Sequence, residues 1–383
     1  MLDQLREQVR AATAARTPLA IRAGGSKEFY GNASSGTRLD PRGHAGIVAH
    51  EPTELVITAR CGTPLAELET VLDAAGQMLP FEPPHFGSTA TVGGCVAAGL
   101  AGPRRASAGG VRDYLLGVRL LTGGGEVLSF GGTVMKNVAG YDVARLAAGS
   151  LGNLGVIVEV SLKVLPRPVA ETTLRLELDE ADALKRMNEW AGQPLPVSAT
   201  AWREGVLHVR LSGARAAVAE ARQKLGGEAL DGTALWHGLR EQTDAFFSPS
   251  PASAGPKGDE RASPAACLPP EATRACERAA PGLGEGLPLW RLSLPSTAPV
   301  LDLPGALLIE WNGGQRWLRS TADAATIRAR TASLGGHATL FRGGARREVF
   351  TPLAAPLAAI HQRLKAEFDP AGIFNRGRMY VDL

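Results

Sequence analysis

The sequence predicts an α+β fold with two unlike domains, and three observations predict it. Glycine clusters punctuate the N-terminal part, where short strands and helices alternate in small βαβ-like pieces. Beyond Pro166 the clusters end, and strands alternate with amphipathic helices in a pattern typical of an antiparallel sheet covered by helices on one face. The 383 residues are enough for two separate apolar cores. We expect a first domain at 1–166 and a second, α+β domain at 167–345.

The elements of the first domain are predicted from spacing and capping signals. Apolar residues at helical spacing indicate the opening helix, and Thr followed by Pro is a good N-cap and first-turn pair, with glycine at the helix end. Triple glycine indicates a hairpin turn, and alternation of apolar with polar residues indicates a strand with one wet face. The predicted elements are a helix over 2–15, a strand over 19–21, a strand over 55–61, a helix from Thr63-Pro64 to Gly76, a hairpin over 118–130, a short helix over 143–148 and a strand over 156–165.

Longer elements are predicted for the second domain on the same grounds. One stretch, 248–287, is rich in Pro, Ala, Ser and Gly and predicts a long surface loop. Four apolar residues, Leu357, Ile360, Leu364 and Phe368, predict one apolar face on a last helix. The other predicted elements are strands at 172–178, 197–202, 206–211, 289–294, 306–318 and 338–342, and helices at 181–191, 214–225, 232–247 and 322–334.

Charge and composition exclude several classes of function. The 41 Lys+Arg and 38 Asp+Glu residues leave a net charge of +3, and no long basic run indicates a nucleic-acid partner. No apolar run approaches the roughly 20 residues that span a bilayer, and the N-terminus lacks the apolar stretch of a secretory signal. The 4 cysteines are too scattered for a zinc or iron–sulfur site, so we expect no metal. The protein is predicted to be cytoplasmic, with docking to the inner membrane through a partner left open.

Three glycine-rich segments predict a site for a dinucleotide. They are AGGSK at 23–27, GSTATVGG at 87–94 and GSLGNLG at 149–155. Glycine lets successive backbone N–H groups point at one anion, and Ser or Thr hydroxyls add donors. A P-loop is excluded because no GxxxxGK is followed by Ser or Thr. A Rossmann fingerprint is excluded because GSLGNLG precedes a strand instead of following one.

These segments resemble the FAD domain of the vanillyl-alcohol-oxidase superfamily. The resemblance rests on RAGGSK at 22–27, GSTATVGG at 87–94 and the run from Gly131 to Pro166. Within it, VMKNVAGYD at 134–142 and FDPAGIFN at 368–375 are similar to the FAD-binding subunits of bacterial glycolate oxidase. IEWNGGQRWL at 309–318 and GGHATLFR at 335–342 are also similar, so the resemblance covers nearly the whole chain.

The resemblance implies a two-subdomain, PCMH-type FAD-binding domain, with the second domain as a cap. Segments 23–27 and 87–94 would cradle the pyrophosphate, 149–157 would contact the adenine half, and Asn375 would touch the flavin ring. Segment 346–383 would therefore return to the first domain. The implied FAD-binding residues are Ala23, Gly24, Gly25, Ser26, Lys27, Gly87, Ser88, Thr89, Thr91, Val92, Gly93, Gly94, Gly140, Gly149, Gly152, Gly155, Val156, Ile157 and Asn375.

One departure from the superfamily pattern bears on how FAD is held. Relatives that attach flavin covalently place a histidine directly after the first glycine pair. Here Ser26 and Lys27 stand at that position. The resemblance therefore implies non-covalent, dissociable FAD.

Four residues are candidates for oxidation of a 2-hydroxy acid, which needs a proton acceptor and a cation for the carboxylate. His85 precedes the second glycine-rich segment, and His337 begins a predicted strand that ends at Arg342. Arg316 lies between aromatic residues and suits a carboxylate clamp. A structural role stays open for His85, as a hydrogen-bonded histidine, and for Arg316, as an arginine stacked between aromatic residues at a hairpin turn.

Two functions stay open at this stage. In the first, the chain is a flavin enzyme subunit that oxidises glycolate or a similar small acid, with D-lactate as another possible substrate. In the second, it holds FAD while a sister flavoprotein subunit performs the chemistry. Electrons on the flavin have no onward route through iron–sulfur ligands of this chain, which implies a partner subunit that carries clusters. A nicotinamide-using reductase is a weaker third alternative.

Overall fold

Two antiparallel sheets organise the chain, one of five strands and one of eight. The computed structural model describes residues 1–133, 142–248 and 287–383. Gly140 and nearly all of the predicted loop 248–287 lie outside the described residues. The first sheet belongs to the stretch up to Lys163, and the second begins at Ala170. This division supports the predicted domain boundary at 166–167, which stays a prediction.

The first part of the chain folds around the five-stranded sheet, in the order β3-β4-β8-β6-β7. A small parallel pair, β1 with β2, and an antiparallel pair, β5 with β9, lie outside it. The elements are α1 (Leu2–Ala15), β1 (Leu19–Ile21), β2 (Thr37–Leu39), β3 (Ile47–Glu51), β4 (Val56–Arg60), α2 (Leu65–Ala74), β5 (Gln77–Met78), α3 (Val92–Ala98), α4 (Arg105–Ala108), α5 (Val111–Tyr114), β6 (Leu115–Leu121), β7 (Val127–Gly131), α6 (Ala144–Ala147), β8 (Val156–Lys163) and β9 (Leu165–Pro166).

The second part forms the eight-stranded sheet, in the order β13-β10-β12-β11-β15-β16-β14-β17. Helix α7 packs on β11, α8 packs on β10 and β12, and α10 packs on β17. The elements are β10 (Ala170–Glu177), α7 (Glu180–Ala191), β11 (Val197–Arg203), β12 (Val206–Gly213), α8 (Arg215–Leu225), β13 (Glu228–Leu230), α9 (Thr233–Glu241), β14 (Leu289–Ser293), β15 (Ala306–Glu310), β16 (Gln315–Arg319), α10 (Ala324–Ser333), β17 (His337–Arg342) and α11 (Ala355–Phe368).

The other face of the eight-stranded sheet lies against the first domain. Leu308 and Phe341 of the sheet share one buried apolar cluster with Tyr30 and Leu100 of the first domain. Charged groups also join the two parts. The carboxylate of Glu82 accepts hydrogen bonds from Arg210 Nη2 of β12, at 2.9 Å, and from Arg104. The two parts therefore meet through an apolar patch and a buried polar contact.

Several predicted boundaries are wrong by amounts that local contacts explain. Helix α2 has Pro64 as its N-cap because the Thr63 hydroxyl is engaged elsewhere, donating to backbone oxygens before it. The helix predicted over 232–247 ends at Glu241, since Gln242 adopts the left-handed conformation (φ 54°). The strand predicted over 306–318 is a hairpin, β15 and β16, around a turn at Trp311–Gly313.

The predicted apolar face of the last helix is only partly buried. Leu357 and Ile360 are 44% and 46% exposed, whereas Phe368 is buried. Lys365 is among the buried residues of α11, although a search for apolar residues at helical spacing does not predict a buried lysine. The C-terminal half of the helix therefore provides the packing.

A charged clasp fixes the chain where it leaves α11. Lys365 Nζ lies 2.8 Å from Asp369 Oδ2 and donates to the backbone oxygens of Asn153 and Phe374, each at 2.7 Å. The buried Asp369 carboxylate also accepts the N–H groups of Ile373 and Phe374. Because every group in the clasp is paired, segment 369–375 is held against β1 and the loop before β8.

Asp369→Ala should destabilise the protein by about 3–5 kcal/mol, because it leaves a buried ammonium and two buried N–H groups without their acceptor. Urea unfolding followed by circular dichroism measures the change. Asp3→Ala is the matched control, since the Asp3 side chain is 94% exposed and its loss should change stability by less than about 0.5 kcal/mol. Equal stability of the two variants would contradict the clasp.

Candidate functional site

A cleft opens between the loop after β1, helix α3 and the loop before β8. The C-terminal segment closes one side of it. The predicted residues that line the cleft are Ala23, Gly24, Gly25, Ser26, Lys27, Thr91, Gly93, Gly94, Gly152, Gly155, Val156, Ile157 and Asn375. Most of the residues assigned to FAD from separate parts of the sequence are therefore brought to one place.

The remaining predicted FAD residues do not line the cleft wall. Gly87, Ser88 and Thr89 lie in the loop behind residues 23–27, Val92 is fully buried inside α3, and Gly149 packs beside Gly99. Gly140 lies outside the described residues. Their assignment to the cofactor stays a prediction.

The loop at 23–27 presents a row of unused donors to the cleft. None of the five consecutive N–H groups from Ala23 to Lys27 has a backbone acceptor among the described residues. Gly25 has a φ of 72° and open space where a side chain would start. Successive free N–H groups in a concave loop are the usual protein ligand for a phosphate or pyrophosphate.

A close approach of two loops shapes this cradle. A Cβ on Gly24 would lie 1.6 Å from the backbone oxygen of Thr89, so only glycine fits. The Thr89 hydroxyl donates to the Gly24 oxygen at 2.7 Å. Thr89 thus supports the cradle from behind, a role different from the predicted contact with the cofactor.

The start of helix α3 contributes less to an anion site than the sequence suggests. The N–H groups of Val92 and Gly93 donate to the backbone oxygens of Thr63 and Cys61, and that of Gly94 donates to the Thr91 hydroxyl. These amides are therefore not available to a pyrophosphate. Residues 92–94 therefore offer no free backbone N–H to the predicted cradle.

Lys27 places a half-buried cation beside the cradle. Its Nζ donates to the His85 oxygen at 3.2 Å and to the Ser26 hydroxyl at 3.3 Å, and no carboxylate of the described residues lies within ion-pair distance. Burial lowers the pKa of Lys27, partly offset by Cys95 and Glu241. A partly desolvated ammonium without a paired carboxylate suits an anionic ligand.

Asn375 ties the two sides of the cleft together. Its Oδ1 accepts the N–H of Ile21 at 2.7 Å, and its Nδ2 donates to the Leu151 oxygen at 2.6 Å. Both ends of the amide are thus occupied by backbone groups. Its predicted contact with the flavin ring stays a prediction, and the described bonds assign it the role of holding the wall.

Arg378 is a cleft residue that the sequence analysis missed. It is 7% exposed, donates to the backbone oxygens of Lys27, Glu28 and Asn32, and lies 3.4 Å from the Glu28 carboxylate. Burial lowers its pKa to about 10, despite Glu28. The sequence places Arg378 three residues after Asn375, a predicted site residue. Nothing near it in the sequence shows that its side chain contacts residues 27–32.

His85 is held in a structural pair. Its Nε2 lies 2.9 Å from Glu69 Oε2 of helix α2, and its backbone N–H donates to Glu241. The ring is absent from the cleft wall. The His85 backbone oxygen, and not its ring, is linked to the cleft, because it accepts a hydrogen bond from Lys27 Nζ.

Arg316 is fully buried and also structural. Its guanidinium donates to the backbone oxygens of Ala298 and Pro299, at 2.5 and 2.7 Å, and lies 3.8 Å from Glu180. Every strong contact is made inside the second domain. The structure therefore offers no surface on which this arginine would clamp a carboxylate.

His337 and Arg342 lie at opposite ends of β17, an edge strand. His337 is exposed and pairs with Ser293 in the sheet. Arg342 stacks over the ring of Phe29, 4.3 Å from its centroid, and over Phe86 at 5.0 Å. Of the four predicted catalytic residues, Arg342 is the one whose side chain stacks on rings next to the 23–27 loop, those of Phe29 and Phe86.

Glu310 is an unpredicted acidic residue at the junction of the two domains. It is 3% exposed at the end of β15, and its Oε2 accepts hydrogen bonds from Trp317 Nε1 at 2.6 Å and Gln315 Nε2 at 3.2 Å. Burial raises the pKa of Glu310 to about 7. The residues next to Glu310 in the sequence did not indicate this buried environment, because its hydrogen-bond partners lie on the next strand, β16.

Two further observations concern metals and membranes. Within residues 1–133, 142–248 and 287–383, no three His, Cys, Asp or Glu side chains come together as metal ligands would. In the same ranges no helix combines the length and the apolar character needed to cross a bilayer. The expectation of no metal stays a prediction.

Several known proteins are similar to this chain in sequence or in fold. A family described as FAD binding domain matches residues 2–131. Glycolate oxidase subunit GlcE of Escherichia coli (strain K12) is 48% identical over 99% of this chain and 97% of its own length. Glycolate oxidase subunit GlcD of Bacillus subtilis (strain 168) is 30% identical over 36% of this chain and 29% of its own. An alkyldihydroxyacetonephosphate synthase structure superposes with a TM-score of 0.61 at 14% identity, over 97% of this chain and 75% of that one, which shows the fold alone.

The fold, the cleft and the matches together define an FAD-binding flavoprotein with a PCMH-type fold, and its cofactor is FAD. The predicted α+β class and the predicted cofactor are confirmed. More narrowly, the chain belongs to the family of glycolate oxidase subunit GlcE, a family of oxidoreductase subunits.

Arg316→Met should lower the free energy of unfolding by about 2–4 kcal/mol, because buried backbone oxygens lose their donors. Arg215→Met is the matched control, since Arg215 is exposed on α8. Urea unfolding measures both. A stable Arg316→Met protein with weakened binding of small carboxylates would instead restore the predicted clamp role.

Proposed function

We propose that this chain is the FAD-binding subunit of a glycolate oxidase and that FAD lies in the cleft with its pyrophosphate against residues 23–27. The observation that carries the proposal is the row of five free N–H groups beside the half-buried cation of Lys27. Among the described residues no carboxylate forms an ion pair with that cation, and Glu241 acts on it only from a greater distance. The segment Gly155 to Ile157 lines the same cleft and would contact the adenine half.

The cofactor is proposed to be held without a covalent bond. Ser26 and Lys27 occupy the position where covalent relatives have histidine. Cys61 is the thiol that lines the cleft among the described residues, and burial raises its pKa to about 12. A thiol that stays protonated at neutral pH is a poor nucleophile, so attack on the flavin is not expected.

Bound FAD supplies the two-electron acceptor for oxidation of an alcohol carbon. The chain's own residues would bind and orient it: the 23–27 loop through N–H donors, Lys27 through its charge, and Asn375 by fixing the wall. The apolar contacts of Phe341 with Phe29 and Tyr30 would keep water from the junction with the cap.

We further propose glycolate as the substrate and two partner subunits. One would be a sister flavoprotein, since GlcE and GlcD are both named as subunits of glycolate oxidase. The other would carry iron–sulfur clusters that take electrons from the flavin. The complex would act in the cytoplasm, or at the inner membrane through these partners.

Lys27→Met should weaken FAD binding by about 10- to 100-fold, because a charge-assisted contact to the pyrophosphate is worth roughly 1.5–3 kcal/mol. The measurement is fluorescence quenching of FAD titrated with the flavin-free protein. Lys224→Met, a change at an exposed lysine of α8, should leave the dissociation constant unchanged. If Lys27→Met binds FAD as tightly as the unaltered protein, the pyrophosphate does not lie in this loop.

A further inference from the structure

The wall of the cofactor cleft borders two different apolar cores. Cys61 and Ile157 line the cleft and belong to the core of the first domain. Ala98 and Leu151 also line it, but they belong to the apolar cluster that the first domain shares with the eight-stranded sheet. The cleft therefore has a side that lies within the first domain and a side that lies at the junction with the second.

The two sides of the cleft suit the two ends of the cofactor. The proposed function assigns the adenine half of FAD to the segment Gly155 to Ile157, which belongs to the first-domain side. The flavin ring is at the opposite end of the dinucleotide, so it would lie on the junction side, beside Ala98 and Leu151. A substrate has to reach the ring, and ligand sites occur preferentially where two domains meet. This step rests on the proposed function.

Arg378 lines the cleft on its junction side. Gly31 lies between Arg378 and Leu151, because a Cβ on Gly31 would be 3.0 Å from the backbone oxygen of Arg378 and 3.1 Å from Leu151 Cδ1. The next residue along the chain, Met379, packs against the apolar cluster shared by the two domains. The guanidinium of Arg378 is therefore a charged group close to the place proposed for the flavin ring.

Positive charge around Arg378 exceeds negative charge among the described residues. Oε1 of Glu28 lies 3.4 Å from Arg378 Nη1 and 3.3 Å from Arg22 Nη2, so two guanidinium groups share one carboxylate. Arg346 adds a third guanidinium, which donates to backbone oxygens such as that of Gly31 and forms no ion pair with a described residue. Backbone oxygens orient these groups without cancelling their charge, so the cluster stays net positive.

Burial makes the charge of Arg378 more effective. The residue is 7% exposed, and burial lowers its pKa to about 10, with Glu28 acting in the opposite direction. At neutral pH the guanidinium therefore stays protonated. Two charges interact more strongly in the protein interior than in water, because the effective dielectric constant is lower there. A change of charge on the flavin ring should therefore be felt by Arg378.

We propose that Arg378 raises the reduction potential of bound FAD by stabilising the negative charge that the flavin ring gains on reduction, and that Glu28 limits this effect. In the proposed reaction the C–H bond of the alcohol carbon breaks, and its electron pair moves with the hydrogen, as hydride, to the oxidised ring. The hydroxyl proton is released to solvent, and the C–O bond becomes a carbonyl. The oxidised ring is neutral, so a ring that has accepted hydride carries one negative charge. A fixed cation near the ring favours that state.

An anaerobic redox titration of the FAD-loaded protein tests the inference, with dithionite as the reductant and a dye of known potential as the reference. Arg378→Gln should shift the equilibrium toward oxidised flavin by about 10-fold or more, which lowers the potential by about 30 mV. Arg378→Lys keeps the charge and should stay within about 3-fold of the unaltered protein. Arg215→Gln, at an exposed arginine of α8, is the control and should not change the potential.

Glu28→Gln provides a second test of opposite sign. It removes the carboxylate that offsets Arg378, so it should shift the equilibrium toward reduced flavin by about 3-fold or more. The Glu28 side chain is 36% exposed, so its replacement should not unfold the chain. A purely structural role of Arg378 would change stability and FAD affinity, but it gives no reason for Glu28→Gln to raise the potential.

The inference is overturned if Glu28→Gln leaves the potential unchanged or lowers it, or if FAD-loaded Arg378→Gln keeps the unaltered potential. Should Arg378→Gln not retain FAD, the result for Glu28→Gln decides. An unaltered chain that retains no FAD would overturn the proposed function instead, so the two failures are distinguishable.

Discussion

The side-chain amide of Asn375 joins three separate parts of the chain, and the cleft depends on that junction. One end accepts the N–H of Ile21 in β1, and the other donates to the Leu151 oxygen in the loop before β8. A Cβ on Gly152 would lie 2.6 Å from Asn375 Nδ2, so the loop approaches as closely as glycine allows. The Lys365–Asp369 clasp holds the segment that carries Asn375. A residue near the C-terminus thus determines the spacing of two loops far from it in sequence.

Given that spacing, the 23–27 loop offers an anion the free backbone N–H groups that residues 92–94 of helix α3 do not. The first N–H groups of helix α3 donate to oxygens of the protein itself, whereas the N–H groups of the 23–27 loop have no acceptor among the described residues. Lys27 adds charge, at a desolvation cost that lowers its pKa. At the junction with the second domain, the side-chain oxygen Oε1 of Gln242 is buried without a hydrogen-bond partner. Backbone N–H groups that folding leaves unpaired therefore mark the cofactor cleft.

Sequence reasoning succeeded where the needed feature is local. Glycine at 24 and 25 is demanded by a close approach and a positive φ, and both positions stand out in the sequence. Sequence reasoning could not identify contacts between residues that lie on different elements. His85 has the right chemistry for a base, yet its ring pairs with Glu69 on α2. Glu310 looks ordinary, and only the cross-strand contacts of Trp317 and Gln315 and its burial make it unusual. Short strands such as β2 and β13 carry too few residues for a periodic signal.

The most direct measurement is a crystal structure of the FAD-loaded protein at a resolution that shows the pyrophosphate oxygens. The account predicts these oxygens within hydrogen-bond distance of the backbone N atoms of Gly25, Ser26 and Lys27, with Lys27 Nζ beside them and no bond from the flavin to a side chain. A pyrophosphate bound away from residues 23–27, or a flavin covalently attached to the chain, would contradict it.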